Sequence, residues 1–109
     1  MERVFNEEAT ERINSLDLGM TVRLMTSPNH KDRLVAEYIQ LGFRACKLEQ
    51  MITKYKAGEL GFEPACPIEV LEEQLQAMVA YLCILQSRDE IKHITDSIGK
   101  EVGKEVGKE

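Results

Sequence analysis

The sequence predicts an all-α fold, a two-helix antiparallel hairpin with a short N-terminal helix, completed by oligomerisation. Apolar residues recur at alternating steps of four and three over two long stretches, which is the spacing of a helical seam. A connector with glycine and proline separates the two stretches, so the chain can reverse direction there. Both long helices also carry apolar residues off the seam, and one hairpin cannot bury them all.

The first element is predicted as a short helix over residues 6 to 18. Asn6 is a suitable N-cap, two glutamates follow it, and Gly19 is a plausible stop. Residues 20–25, MTVRLM, then alternate as in a strand, but the sequence offers no second strand to pair with them. We therefore expect these residues to form an extended apolar connector that docks on the rest of the protein.

The second helix is predicted to begin at Ser27-Pro28, with Ser27 as the cap, and to close at Gly58. It covers roughly 28 residues, hence ~42 Å. Its seam consists of Leu34, Tyr38, Leu41, Ala45, Leu48, Ile52 and Tyr55.

The third helix is predicted to start at Pro67 and to continue past Arg88 towards Ile98. Its seam consists of Ile68, Leu71, Leu75, Met78, Leu82 and Leu85. We expect Phe62 in the connector to fold back as a mostly buried plug over the open end of the hairpin. Prolines on both sides hold the loop and reduce the entropy lost on ordering it.

Three parts result: an N-terminal extension at 1–26 with the short helix, a helical hairpin domain at 27–98 and a flexible tail at 99–109. The C-terminal IGKEVGKEVGKE repeats a tetrapeptide three times. A glycine at every fourth position costs a helix about 1 kcal/mol each. We expect a frayed tail there rather than a partner-binding strip.

Composition restricts the class of protein. No apolar run approaches the ~20 residues that span a bilayer, and the first ten residues lack the features of a signal peptide. Three cysteines without a CxxC pair fit a reducing compartment. The net charge of −5 opposes binding to duplex nucleic acid. We expect a soluble protein of the cytoplasm with no membrane partner.

The charge is unevenly distributed between the two long helices. Residues 28–58 hold six basic and three acidic side chains, a net charge of +3, whereas residues 59–91 hold one basic and seven acidic, a net charge of −6. A basic helix beside an acidic one can neutralise it by mutual pairing. The alternative is a local anion-binding site on the basic helix.

The sequence shows no pattern of catalytic residues, so we predict that the protein is not an enzyme and uses no cofactor. His30 and His93 lie far apart with no ligand-spaced partner, so no metal site is expected. Cys46, Cys66 and Cys83 are interpreted as small core residues.

Aromatic and basic side chains make the best candidates for a binding site. Tyrosines at helical spacing are core residues by default, but an aromatic face can also stack on a nucleobase, and nearby Arg and Lys can bind phosphate. The candidate ligand-binding residues are Arg33, Tyr38, Arg44, Lys47, Tyr81 and Arg88.

Residues 27–91 resemble a family of small helical proteins encoded by phages and prophages, named after a crAss-like phage protein. The motifs that carry the resemblance are RLVAEY, KLEQMI, the connector with FEPACP, and LEEQLQAMVAYLCILQSR. Residues 1–24 lie outside this pattern and look like an extension. The architecture is more distantly similar to the helical-hairpin sponges of phages. Those proteins form oligomers and sequester the cyclic nucleotide messengers of bacterial CBASS and Thoeris immunity, with ligands held between protomers.

The resemblance implies a homo-oligomer in the host cell cytoplasm that binds a small anionic nucleotide ligand without cleaving it. A second hypothesis is an acidic helical inhibitor that binds a bacterial defence effector, as anti-CRISPR proteins do. A third is a structural or regulatory helical adaptor. Basic residues consumed by pairing with the acidic helix would favour the inhibitor, and basic residues left available would favour the sponge.

Overall fold

A computed structural model describes residues 4–15 and 18–88. The described residues form four helices: α1 (Glu7–Asn14), α2 (Gly19–Met25), α3 (His30–Lys56) and α4 (Ile68–Gln86). Within these two ranges there is no β-strand, which confirms the predicted all-α class. None of these helices is both long enough and apolar enough to cross a membrane.

Helix α1 begins where the sequence places it but ends earlier. The Asn6 side chain accepts a hydrogen bond from the Ala9 backbone N–H at 2.8 Å, as expected for an N-cap. The helix ends at Asn14, and the Ser15 hydroxyl donates to the Arg12 carbonyl at 2.7 Å. The predicted helix over 6–18 is therefore too long, and Gly19 does not stop it.

The prediction of an extended connector at residues 20–25 is wrong, because this stretch belongs to α2. The buried Thr21 fixes the helix on α3: its hydroxyl donates to the Leu18 carbonyl at 2.6 Å and accepts from the Gln40 amide at 2.8 Å. Met20 and Val22 are exposed. A helix satisfies its backbone hydrogen bonds internally, so this short apolar segment needs no partner strand.

Helix α3 begins two residues later than predicted. Asn29, not Ser27, is the N-cap, and its side chain accepts from the Lys31 backbone N–H at 2.9 Å. The Ser27 hydroxyl instead donates to the Asp32 carboxylate at 2.7 Å and accepts from the Asn29 N–H at 3.1 Å. These bonds form a turn that leads into the helix.

The predicted end of α3 at Gly58 is confirmed. Gly58 has a positive φ of 73°, the left-handed conformation that glycine adopts without a steric penalty. Its N–H donates to the Tyr55 carbonyl at 3.0 Å, and the Glu59 N–H donates to the Lys54 carbonyl at 2.8 Å. This pair of bonds is a Schellman motif, which satisfies carbonyls at the helix end.

Helix α4 ends before the predicted limit. Ser87 is the C-cap, and its hydroxyl donates to the Ile84 carbonyl at 2.7 Å. The predicted continuation of the helix through Arg88 is therefore wrong. The rest of that predicted extension and the tail at 99–109 lie outside the described residues.

Opposite ends of α3 and α4 contact each other, so the two helices run antiparallel. Lys56 at the end of α3 forms an ion pair with Glu72 near the start of α4. Gln86 at the end of α4 donates to the Tyr38 hydroxyl at 2.9 Å near the start of α3. The buried seam residues between them are Leu34, Ala45, Ile52, Leu75, Leu82 and Leu85.

The N-terminal segment completes the core of α3. Phe5, Ala9 and Ile13 are buried and belong to the same apolar cluster as Cys46. Next to them lies Glu49, a carboxylate that is only 1% exposed. It accepts hydrogen bonds from the backbone N–H groups of Val4 and Phe5, the latter at 3.0 Å. A buried acid on α3 therefore anchors a segment 44 residues earlier in the chain.

Two further predictions about burial are wrong. Phe62 is 60% exposed and does not plug the hairpin, because Ile52 at that end is already 1% exposed without it. Of the three cysteines, Cys46 is buried and Cys66 is half-buried, whereas Cys83 is exposed and is not a core residue.

Candidate functional site

Four of the exposed basic side chains of α3 lie along one side of the helix. We call this set the basic stripe; its members are Arg33, Arg44, Lys47 and Lys54, all of them exposed. Helical geometry of 3.6 residues per turn places all four within roughly 80° of the helix circumference. Lys54 was not among the candidate residues, although it follows Lys47 by one heptad.

Arg44 and Lys47 form the compact part of this stripe. They are three residues apart, so they are neighbours on the helix surface. The Lys47 ammonium lies 5.4 Å from the centroid of the Phe43 ring, a cation–π contact that positions the side chain. Neither residue forms an ion pair with a carboxylate of the described residues, and both charges face outward.

Arg33 is separate from that pair. Its guanidinium donates to the Ser27 carbonyl at 2.6 Å and so fixes the turn that precedes α3. Eleven residues of helix place it about 16 Å from Arg44 along the axis. A ligand that contacts Arg44 and Lys47 would have to extend over this distance to contact Arg33 as well.

Tyr38 lies between α3 and α4. It is half-buried, packs against both apolar clusters of the core, and its hydroxyl accepts from Gln86. Of the two interpretations open for this tyrosine, the structure favours the core residue. Its ring is on a different side of α3 from the basic stripe.

Tyr81 and Arg88 lie at a third place, seven residues apart and on one side of α4 and its C-terminal turn. Both are exposed. The six candidate residues thus lie at three places: Arg33, Arg44 and Lys47 along the basic stripe, Tyr38 between the two long helices, and Tyr81 and Arg88 on α4 and its C-terminal turn.

The acidic side chains are only partly used in neutralising α3. Glu72 pairs with Lys56, as the mutual-pairing alternative requires. Exposed carboxylates remain in the connector and in the first turns of α4: Glu59, Glu63, Glu69 and Glu73. Pairing thus occurs at one end of the hairpin, while the charges of Arg44 and Lys47 stay available.

Metal-binding side chains do not cluster in the part of the chain that the structure describes. No group of three or more His, Cys, Asp or Glu residues within 4–15 and 18–88 could hold a metal ion. His30 is exposed at the start of α3, and His93 lies outside the described residues.

The fold and this surface define a small α-helical protein that presents basic side chains from one long helix. The chain belongs to the Sequestin family, whose profile matches residues 28–91. The matched region contains α3, the connector and α4, whereas α1 and α2 precede it. No curated protein and no solved structure matches the chain.

Proposed function

We propose that this protein is a phage-encoded sponge that binds a cyclic nucleotide immune signal and sequesters it without cleaving it, in the cytoplasm of the host cell. The name of its family denotes sequestration, and the resemblance to phage proteins supplies the class of ligand. The observation that carries the proposal is the pair Arg44 and Lys47, which is exposed, adjacent and not neutralised by the acidic helix.

The chemistry of this pair suits a phosphate. The planar guanidinium of Arg44 can donate two parallel hydrogen bonds to phosphate oxygens, and the ammonium of Lys47 adds a point charge beside it. Sequestration is equilibrium binding, so the protein needs no acid, base or nucleophile aimed at the phosphodiester. A homo-oligomer is part of the proposal, because the phage sponges that the chain resembles hold their ligands between protomers.

Calorimetry against a panel of cyclic dinucleotides, cyclic trinucleotides and cyclic ADP-ribose isomers tests this function. A hydrogen bond to a charged group is worth roughly 1.5 to 3 kcal/mol. Arg44→Ala and Lys47→Ala should therefore each weaken binding by about ten- to hundredfold. Lys31→Ala is the matched control, because Lys31 is an exposed base of α3 on a different side of the helix.

The outcomes separate the hypotheses. A ligand recovered intact after heat denaturation supports the sponge, and a hydrolysed product would identify an enzyme instead. Equal weakening by Lys31→Ala would show that only the overall charge matters. Absence of binding at tens of micromolar for every nucleotide would refute the proposed function.

One observation favours a second candidate, the acidic inhibitor of a bacterial defence effector. The connector and the start of α4 expose the four carboxylates Glu59, Glu63, Glu69 and Glu73, a charge pattern that can imitate nucleic-acid phosphates. Replacing these residues by Gln should abolish inhibition of the effector in an infection assay if this candidate holds. The same variant should retain full activity if the protein is a sponge that uses α3.

A further inference from the structure

The part of the basic stripe that follows Arg44 has an aromatic side chain at its far end. Lys47, Met51 and Tyr55 follow one another at steps of four, so each is a neighbour of the next on the surface of α3. Tyr55 comes eleven residues after Arg44, about three turns later, and therefore lies on nearly the same side of the helix. Although Tyr55 continues the heptad spacing of the core seam, it is 39% exposed. Its ring therefore belongs to the surface that also carries the basic pair.

We call this surface the distal patch; its members are Arg44, Lys47, Met51, Lys54 and Tyr55. Met51 is half-buried, and the other four are exposed. The patch extends about 16 Å along the helix axis. Side chains of a helix lean towards its N-terminus, so the Tyr55 ring extends over the turn that contains Met51 and towards the basic pair. An aromatic face and an apolar floor thus lie directly beside cationic groups.

No carboxylate of the described residues neutralises the distal patch. Within 4–15 and 18–88, its three basic side chains form no ion pair, and the acidic helix pairs with Lys56 instead. Glu49 is the one acidic residue of α3 that follows Arg44, and it is 1% exposed. Its carboxylate accepts from the backbone of the N-terminal segment. The positive charge of the patch is therefore available to an anion.

The basic stripe is interrupted on the N-terminal side of Arg44. There Ala36 is fully buried, and Gln40 donates to the Thr21 hydroxyl of α2 at 2.8 Å. Helix α2 therefore covers this part of α3. Glu37, a half-buried carboxylate on the same stretch, would repel an anion. A ligand bound at the basic pair therefore extends towards the C-terminal end of α3, where the distal patch is open.

We propose that the distal patch is the surface that binds the nucleotide and that Tyr55 stacks on one of its bases. Arg44 and Lys47 bind a phosphate, Met51 lies beneath the adjoining sugar and base, and Lys54 adds positive charge beside the base. Every base has a π-face, so stacking favours nucleotides over other anions without selecting one base. This inference rests on the proposed function and names the residue that recognises the base.

Matched ligands and matched tyrosine variants test the stacking role by calorimetry. The nucleotide is the tightest binder among cyclic di-AMP, cyclic tri-AMP and cyclic ADP-ribose, and the second ligand is pyrophosphate, which carries phosphates but no base. Tyr55→Leu should weaken nucleotide binding by about five- to 150-fold and leave pyrophosphate binding unchanged. Tyr55→Phe keeps the ring and should bind the nucleotide as the wild-type chain does. Tyr81→Leu is the control, because Tyr81 on α4 is 42% exposed, close to the value for Tyr55.

A second measurement needs no substitution. The chain contains no tryptophan, so its tyrosine fluorescence can be recorded directly. A base stacked on Tyr55 should quench part of this fluorescence, and pyrophosphate should not. Equal quenching by the two ligands would overturn the stacking role.

The outcomes separate this inference from the proposed function, with circular dichroism to verify the helicity of each variant. Unchanged nucleotide binding by Tyr55→Leu would overturn the inference, while a loss of binding in Arg44→Ala and Lys47→Ala would leave the sponge standing. An equal loss of pyrophosphate binding in Tyr55→Leu would overturn the contact with the base. Equal weakening by Tyr81→Leu would overturn the assignment of this contact to α3. Absence of nucleotide binding by the wild-type chain would overturn both proposals.

Discussion

The buried carboxylate of Glu49 anchors the N-terminal segment, and Glu49→Gln tests this role. Glutamine keeps the size of the side chain and one acceptor oxygen but replaces the other oxygen with an NH2 group. One of the two backbone N–H groups, of Val4 or Phe5, then meets a donor in place of an acceptor. An unsatisfied buried donor costs about 1–3 kcal/mol, and the other bond loses its charge assistance, worth about 1 kcal/mol.

The sum is a loss of roughly 2–4 kcal/mol in the free energy that holds residues 4–15 on α3. Amide hydrogen exchange measured by mass spectrometry reports this local opening. Protection in α1 should fall by about 30- to 700-fold, at 1.4 kcal/mol for each tenfold change, and more than in α4. Glu73→Gln, the same exchange at an exposed site of α4, is the control. Equal protection of α1 in the two variants would refute the anchoring role of Glu49.

Three further predictions concern stability. Gly58→Ala should lower the free energy of unfolding by about 1–2 kcal/mol because Gly58 has a positive φ. Gly61→Ala, where the space around the added carbon is equally open, should be neutral or slightly stabilising. Equal effects of the two substitutions in chemical denaturation would contradict this. Phe62→Ala should change the free energy of unfolding by less than about 0.5 kcal/mol, whereas Ile52→Ala should lower it by about 2–5 kcal/mol. A larger loss for Phe62→Ala than for Ile52→Ala would show that Phe62 does cover the end of the hairpin. Asn6→Ala removes the N-cap of α1 and should destabilise this helix by about 1 kcal/mol, which lowers its helicity and its protection against amide hydrogen exchange. Unchanged exchange in α1 would contradict the capping role of Asn6.

The parts of the fold that depend on local chemistry could be predicted from the sequence. The Asn6 cap and the Gly58 stop each rest on a few neighbouring residues, and the core seam repeats over many turns. Helix α2 could not be predicted in this way. Seven residues are too few to separate a helical period from a strand alternation, and the contact between Thr21 and Gln40 that fixes the helix spans 19 residues.

Burial of single side chains was harder to predict than helices. A glutamate on a helix is ordinarily solvated, so nothing local marks Glu49 as a core residue whose partners lie 44 and 45 residues away. Phe62 shows the opposite error, because an apolar residue type in a loop does not require burial. The same limit applies to the candidate site: spacing along α3 predicts that Tyr38 lies in the core seam and that Arg44 and Lys47 are neighbours, but it does not predict that Lys56 is the residue that pairs with the acidic helix.

The contact between the N-terminal segment and Glu49 has a consequence for synthesis on the ribosome. Val4 leaves the ribosome first, but its partner carboxylate follows 45 residues later. At 5–20 residues per second, this interval lasts roughly 2–9 s. During that time Phe5, Ala9 and Ile13 have no α3 surface to pack against. The nascent chain therefore exposes a short apolar segment that chaperones at the exit tunnel can bind before α3 emerges.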